Sequence, residues 1–172
     1  NKVGELVQMN DWTGTNTFEL DLLGRLQKMT DHKGNTVSYA YDAVGNQTSI
    51  TYPDGNKVSN FYDAVYNLTS VIDAEKGTYV YVYDDANRPV KLTYPNGWVE
   101  QYTYDAEGNL LKTVDTDPFQ LYNKTPKVKY EYTYDAEGNV LTEFQRDSDA
   151  TENLKSRTAF TYDALNRLTG ST

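Results

Sequence analysis

With 172 residues, a formal net charge of −9 and a sequence pI near 4.5, the chain argues against a nucleic-acid surface or insertion into an anionic membrane. Its 16 basic residues are scattered among 25 acidic ones, whereas phosphate binding needs clustered Lys and Arg. The absence of cysteine removes disulfides and thiolate metal sites, and no apolar run approaches the ~18 residues of a membrane helix. Leu, Ile, Val and Phe together make up only about 20% of the chain, at the border of disordered compositions. Sixteen tyrosines move it back towards a folded protein, since a Tyr buries its ring while keeping a hydroxyl to be hydrogen-bonded, which suits a thin sheet.

In chain order, the dominant signal is a repeat. Asp21, Asp42, Asp63, Asp84 and Asp105 are spaced by 21 residues, and all but the first follow a tyrosine; Asp135 and Asp163 follow at gaps of 30 and 28. Self-similarity at a period in the twenties marks a stacked-repeat architecture. One continuous array over 1–172 is expected: a partial repeat at 1–17, regular repeats at 18–101, repeats with long insertions at 102–157 and a final partial repeat at 158–172. The chain opens in mid-repeat at Asn1 without a methionine or signal-peptide pattern, as expected of a segment of a longer protein.

Each repeat contains two turns. In Asp42-Ala43-Val44-Gly45, Asp105-Ala106-Glu107-Gly108 and Asp135-Ala136-Glu137-Gly138, Asp suits the first position of a type I turn and Gly the following left-handed position, the recipe for a hairpin loop with a G1 bulge. Asn87 and Asn166, after Asp84 and Asp163, hold the glycine slot as the best other residue there. After Asp63 the slot holds Tyr66, for which the sequence offers no reason. A second turn lies about ten residues on, at Tyr52-Pro53-Asp54-Gly55 and Tyr94-Pro95-Asn96-Gly97, and in simpler form at Asp11 to Gly14 and Asp31 to Gly34. The fold class is therefore all-β, an antiparallel hairpin meander of about 14 strands that twists and curls into a strip.

Before each Asp the aromatic residues alternate, as in Tyr102 and Tyr104. Tyr41, Tyr62, Tyr83, Tyr104, Tyr134 and Tyr162 are expected to align into an aromatic ladder across repeats. After the turn, apolar residues fall five and eight positions past the Asp, for example Leu68 and Val71. The offsets differ by an odd number, so either a bulge intervenes or both faces are partly covered. Asp115 to Lys129 and Gln145 to Arg157 interrupt the period and are expected as extended hairpin loops. No segment has helical apolar periodicity.

On the pattern Tyr-Asp-x-x-Gly-Asn-Leu, seen whole at Tyr104 to Leu110, the chain resembles the RHS (YD-repeat) family, which includes bacterial polymorphic toxins, wall-associated proteins, the B and C subunits of insecticidal Tc complexes and animal teneurins. The resemblance implies a long β-sheet spiralling into a hollow shell, an extracellular, secreted or cell-surface setting, and partners among the flanking domains of the parent chain, including an enclosed effector. Edge-to-edge self-association of the open strip is a further expectation. The family's Asp-Pro-x-Gly kind of self-cleavage motif is not matched by Asp117-Pro118-Phe119-Gln120, so no cleavage activity is carried over.

Chemistry is sparse, and no enzyme and no cofactor is expected. The single histidine, His32, sits at a turn and is expected to be a solvated turn residue, so a Ser-His-Asp arrangement could be built only around an exposed loop histidine. Carboxylates pair in sequence at Asp84-Asp85 and Asp147/Asp149, but adjacent strand residues point to opposite faces. Calcium on the stacked turn aspartates is the alternative to turn capping; one carboxylate per repeat is thin for a site wanting six to eight oxygens. Trp12 and Trp98 adjoin second turns and are expected to pack over the hairpins, with stacking on glycan rings as the alternative. The sequence thus points to a non-catalytic section of shell that encloses or presents another domain, the runner-up being a surface module that binds glycans or a partner protein.

Overall fold

The structure, a computed structural model, describes residues 4–117, 126–147 and 153–172. All regular structure among them is β. No helix is present there that is long and apolar enough to cross a membrane. Two compact units are formed, Asn1–Thr78 and Tyr79–Thr172.

The first unit carries β1 (Gln8–Asp11), β2 (Gly14–Leu20), β3 (Leu26–Thr30), β4 (Thr36–Tyr41), β5 (Gln47–Thr51), β6 (Lys57–Tyr62) and β7 (Leu68–Asp73). In the second lie most of β8 (Gly77–Tyr83), then β9 (Pro89–Thr93), β10 (Val99–Tyr104), β11 (Leu110–Thr116), β12 (Pro126–Tyr134), β13 (Val140–Asp147), β14 (Leu154–Tyr162) and β15 (Leu168–Ser171). Within each unit every strand pairs antiparallel with its neighbours in sequence. The meander expected from the two-turn repeat is present, with fifteen strands among the described residues.

A bulge resolves the odd spacing of the apolar residues. Tyr104 pairs with Leu110 and Thr103 with Lys112, so Leu111 is the extra residue, and the register then places Thr113 opposite Tyr102. The same shift puts Leu68 opposite Tyr62 and Val71 opposite Asn60, and Met29 opposite Phe18. Positions five and eight past the Asp therefore share the tyrosine-bearing face despite their odd separation. That face is half-buried. In β8, Tyr79, Tyr81 and Tyr83 are partly covered, while Val80 and Val82 on the opposite face are exposed.

No apolar side chain among the described residues is fully buried. The tyrosine face takes the place of a core, in a single layer whose other face is rich in Thr, Ser and Lys, as in Ser38, Ser49, Thr51, Lys57 and Ser59. A sheet normally covers its apolar face with a second layer; within each unit only strands adjacent in sequence meet among the described residues.

The two irregular segments differ from expectation. Strands continue into both, with β11 reaching Thr116, β12 starting at Pro126, β13 reaching Asp147 and β14 starting at Leu154. Charge pairs replace apolar alternation there: Glu131 bridges Lys129 on its own strand (2.7 Å) and Arg146 on the next (2.8 Å), and Lys155 meets Asp147 across strands at 2.5 Å. Pro118, Phe119, Gln120 and Asp149 lie outside the described residues.

Candidate functional site

The repeated Tyr-Asp turn is built by one carboxylate. In the turn of Asp42, the Asp42 N–H donates to Asn46 O at 2.9 Å and the Gly45 N–H to Asp42 O at 3.3 Å. Asp42 Oδ1 accepts the N–H groups of Val44, Gly45 and Asn46, and Oδ2 accepts Asn46 Nδ2. Asp105 and Asp135 are satisfied in the same way by Asn109 and Asn139, and Asp63 by Asn67. At Asp21, Asp84 and Asp163 an arginine replaces the asparagine, and its Nε donates to Oδ2 at 2.7, 2.8 and 2.7 Å. This fourth-position partner was missed by reading the sequence for turn residues alone, although Asn or Arg four places after the Asp recurs visibly.

The left-handed position is occupied as the turn chemistry requires, with φ of +104° at Gly45, +96° at Gly108 and +84° at Gly138, and +59° and +57° at Asn87 and Asn166. Tyr66 has φ of +70° there with its side chain exposed. Space is not the reason for glycine at Gly45, where an added Cβ meets nothing within 4 Å; the backbone conformation is.

Arginine also joins successive repeats. Arg25 Nη1 donates to Asp42 O (3.1 Å) while its guanidinium lies 4.6 Å from the Tyr41 ring centre; Arg88 does the same to Asp105 O (3.1 Å) and Tyr104 (4.7 Å). The tyrosines of the expected ladder connect repeats through their hydroxyls. Tyr41 donates to Leu26 O (2.9 Å), Tyr62 to Gln47 O (3.0 Å), Tyr104 to Pro89 O (2.8 Å), Tyr134 to Leu110 O (2.6 Å) and Tyr162 to Val140 O (3.0 Å). Each acceptor is the residue five past the preceding Asp. Tyr83 holds the same register position, opposite Pro89.

These bonds set the electrostatics of the turn. The Asn109 and Asn139 side-chain amides, with backbone N–H groups, hold Asp105 and Asp135 below the ordinary carboxyl value of 3.8; at Asp42 and Asp63 burial pushes upward, and the hydrogen bonds outweigh it. The lowered carboxylates of Asp42, Asp63, Asp105 and Asp135 are thus occupied by their own backbone and their fourth-position partner. No group of three or more His, Cys, Asp or Glu able to hold a metal occurs among the described residues.

The remaining candidates are dispersed. His32 is exposed, with its Cβ over Gly14, where a methyl group would come within 2.6 Å of it. Asp84 serves its turn with Arg88, and Asp85 lies at the exposed tip. Trp12 is 97% exposed at the β1–β2 turn and does not pack over its hairpin, because the Asp11-to-Gly14 loop is a tight two-residue turn that carries Trp12 on its tip. Trp98, after the β9–β10 turn, lines a cavity with Tyr94, Asn96, Val99, Glu100 and Asp115. There Glu100 and Asp115 are cross-strand partners, a pairing that sequence inspection did not identify because the register depends on the bulge.

A single-layer meander whose turns are closed by Asp and stapled by Tyr and Arg defines a class of β-hairpin repeat proteins. The RHS Repeat family model matches residues 21–57, 62–97 and 83–118, more than half of the chain, and the chain belongs to that family. Among solved structures it is similar to TcdB2-TccC3-Cdc42 (TM-score 0.76, 20% identity) and to TcdB2-TccC3 without its hypervariable C-terminal region (TM-score 0.75, 20% identity), each match covering 96% of this chain and 9% of the other. A variant of the Photorhabdus luminescens Tc holotoxin pore is similar at TM-score 0.67 and 21% identity over 91% of this chain and 9% of that one. The chain therefore spans about a tenth of the length of the structures it matches. No curated protein sequence matches it.

Proposed function

We propose that this chain is a non-catalytic section of RHS shell that encloses or presents another domain of its parent protein, such as a toxin effector, in a secreted or surface-displayed setting. The observation that carries the proposal is the single layer: a half-buried tyrosine face with no fully buried apolar side chain among the described residues, whose repeats are joined by backbone-directed hydroxyls and guanidiniums. Such a sheet spends its recurring polar groups on holding its own backbone, as a wall does. The likeness to Tc complexes supports the same reading through the fold. The parent protein provides the test. A domain enclosed by the shell resists added protease while the shell is folded, and digestion as fast as that of the isolated domain contradicts enclosure.

A second function, glycan binding, is favoured by one observation, the almost fully exposed indole of Trp12. A glycan array probed with the chain and with Trp12→Ala and Trp98→Ala separates the two. A purely structural module gives no signal, and reproducible binding lost in those variants favours the second function.

A further inference from the structure

The cavity beside the β9–β10 turn has chemistry that the repeat does not explain. Its volume is about 240 Å³, and among the described residues its lining contains two aromatic residues, two acids and no base. Glu100 lies opposite Leu92 and Asp115; at the equivalent place in the repeats of Asp21 and Asp42, opposite Met29 and Ile50, stand Val37 and Val58. A carboxylate has replaced a valine on the tyrosine face, and it faces a second carboxylate. Like charges directly opposite on neighbouring strands are destabilising, and a local rule broken without compensation is where function is expected.

Among the described residues, the surroundings hold Glu100 in place and bring neither acid a cation. Tyr94 O–H donates to Glu100 Oε2 at 3.0 Å, and the Tyr94 ring is fixed edge-on against Tyr79, with centroids 5.9 Å apart and planes at 69°. Burial, then the hydrogen bond to Glu100, pushes the Tyr94 phenol up to about 12, and the same two causes raise Tyr102. The Asp115 carboxylate has no hydrogen-bond or ion-pair partner among the described residues, and burial followed by the Glu100 charge raises it above the ordinary carboxyl value. A bound cation would relieve both effects.

The kind of cation follows from the walls. A calcium ion wants six to eight oxygens, more than two carboxylates supply. Aromatic residues beside carboxylates suit an alkylammonium group, which gains from ring and charge together. At roughly 30 Å³ per water, the volume corresponds to about eight water molecules, enough for one side-chain end or a small quaternary amine and too little for a glycan chain. We propose that this cavity binds an organic ammonium group, with Glu100 and Asp115 supplying the charge and Tyr94 and Trp98 the aromatic walls.

Calorimetric titration of the chain with N-acetyl-lysine methylamide, with choline and with neutral methyl glucoside tests it. At least one cation is expected to bind, more weakly at high salt, and Glu100→Gln and Asp115→Asn are each expected to weaken it about tenfold. Trp98→Ala weakens binding as well, and Glu107→Gln, at an exposed turn, leaves it unchanged. Preference for the lysine derivative assigns the site to a polypeptide side chain, and preference for choline to a free amine. No cation binding up to about 50 mM, binding unchanged in both carboxamide variants, or binding of the glucoside instead of the cations overturns the proposal. Circular dichroism of each variant confirms the sheet, and the two carboxamides keep the size of the acids they replace.

Discussion

Asp105 and Asp115 are ten residues apart and have opposite surroundings. Asp105 closes a turn, accepts the Asn109 backbone N–H at 2.7 Å and side-chain amide at 2.8 Å, and is held below the ordinary carboxyl value. Asp115 faces Glu100 across two strands and is raised by burial and by that charge. The first belongs to a pattern repeated along the chain; the second departs from it. The repeated carboxylate is thus used up by its own turn, whereas Asp115 has no such partner among the described residues.

The largest expected effect that sharpens this contrast comes from the backbone of the repeated turn. Gly108→Val places a β-branched residue at φ of +96° and is expected to lower stability by about 2 kcal/mol, whereas Glu107→Val one residue earlier stays within about 0.5 kcal/mol. Equal melting temperatures for the two variants break the turn assignment. Next in size is Tyr104→Phe. It removes the hydroxyl that donates to Pro89 O at 2.8 Å and is expected to cost about 1 kcal/mol in chemical denaturation. An unchanged midpoint means that the hydroxyl rungs do not hold the repeats together.

Acid separates the two kinds of carboxylate. A turn aspartate with a depressed folded-state pKa takes up protons more readily once unfolded, so its stabilisation is complete above about pH 5 and is lost as pH falls through the folded value. Asp115, raised, has the opposite sign and loses its penalty on protonation. Carbon-13 titration of the side-chain carboxyls is expected to place Asp31, Asp105 and Asp135 below 3.8 and Asp115 above it. One common midpoint for all four removes the distinction. The smallest expected effect is at Tyr66, which occupies the glycine slot at φ of +70°. Tyr66→Gly relieves the conformation at the expense of unfolded-state entropy and is expected to raise stability by about 0.5 kcal/mol; a lower melting temperature shows that the exposed tyrosine has a role the turn does not explain.

Much of the fold was legible because its signals are local. The Asp and Gly of each turn, the Tyr pairs before it and the strand lengths between turns all lie within one repeat. What was not legible depends on register. The bulge at Leu111 decides that Leu110 and Thr113 share a face, and without it neither the hydroxyl of Tyr104 reaching back 15 residues to Pro89 nor the meeting of Glu100 and Asp115 can be placed. The Arg88 bridge to the next turn was hidden for a similar reason, since its acceptor is a backbone carbonyl 17 residues away and carries no sequence signal. Trp12 was misjudged because two residues between paired strands leave no room for its ring to fold back.

We propose that the repeated aspartates, whose oxygens accept the N–H groups of their own turns, serve that backbone and not a ligand. Melting the chain in a chelator and again in about 5 mM calcium tests it most directly, because a ligand bound only by the folded state raises the transition in proportion to its occupancy. Superimposable transitions are predicted. A clear rise in melting temperature with calcium, lost when Asp105 and Asp135 are changed to Asn, contradicts it and turns the row of turns into a metal site.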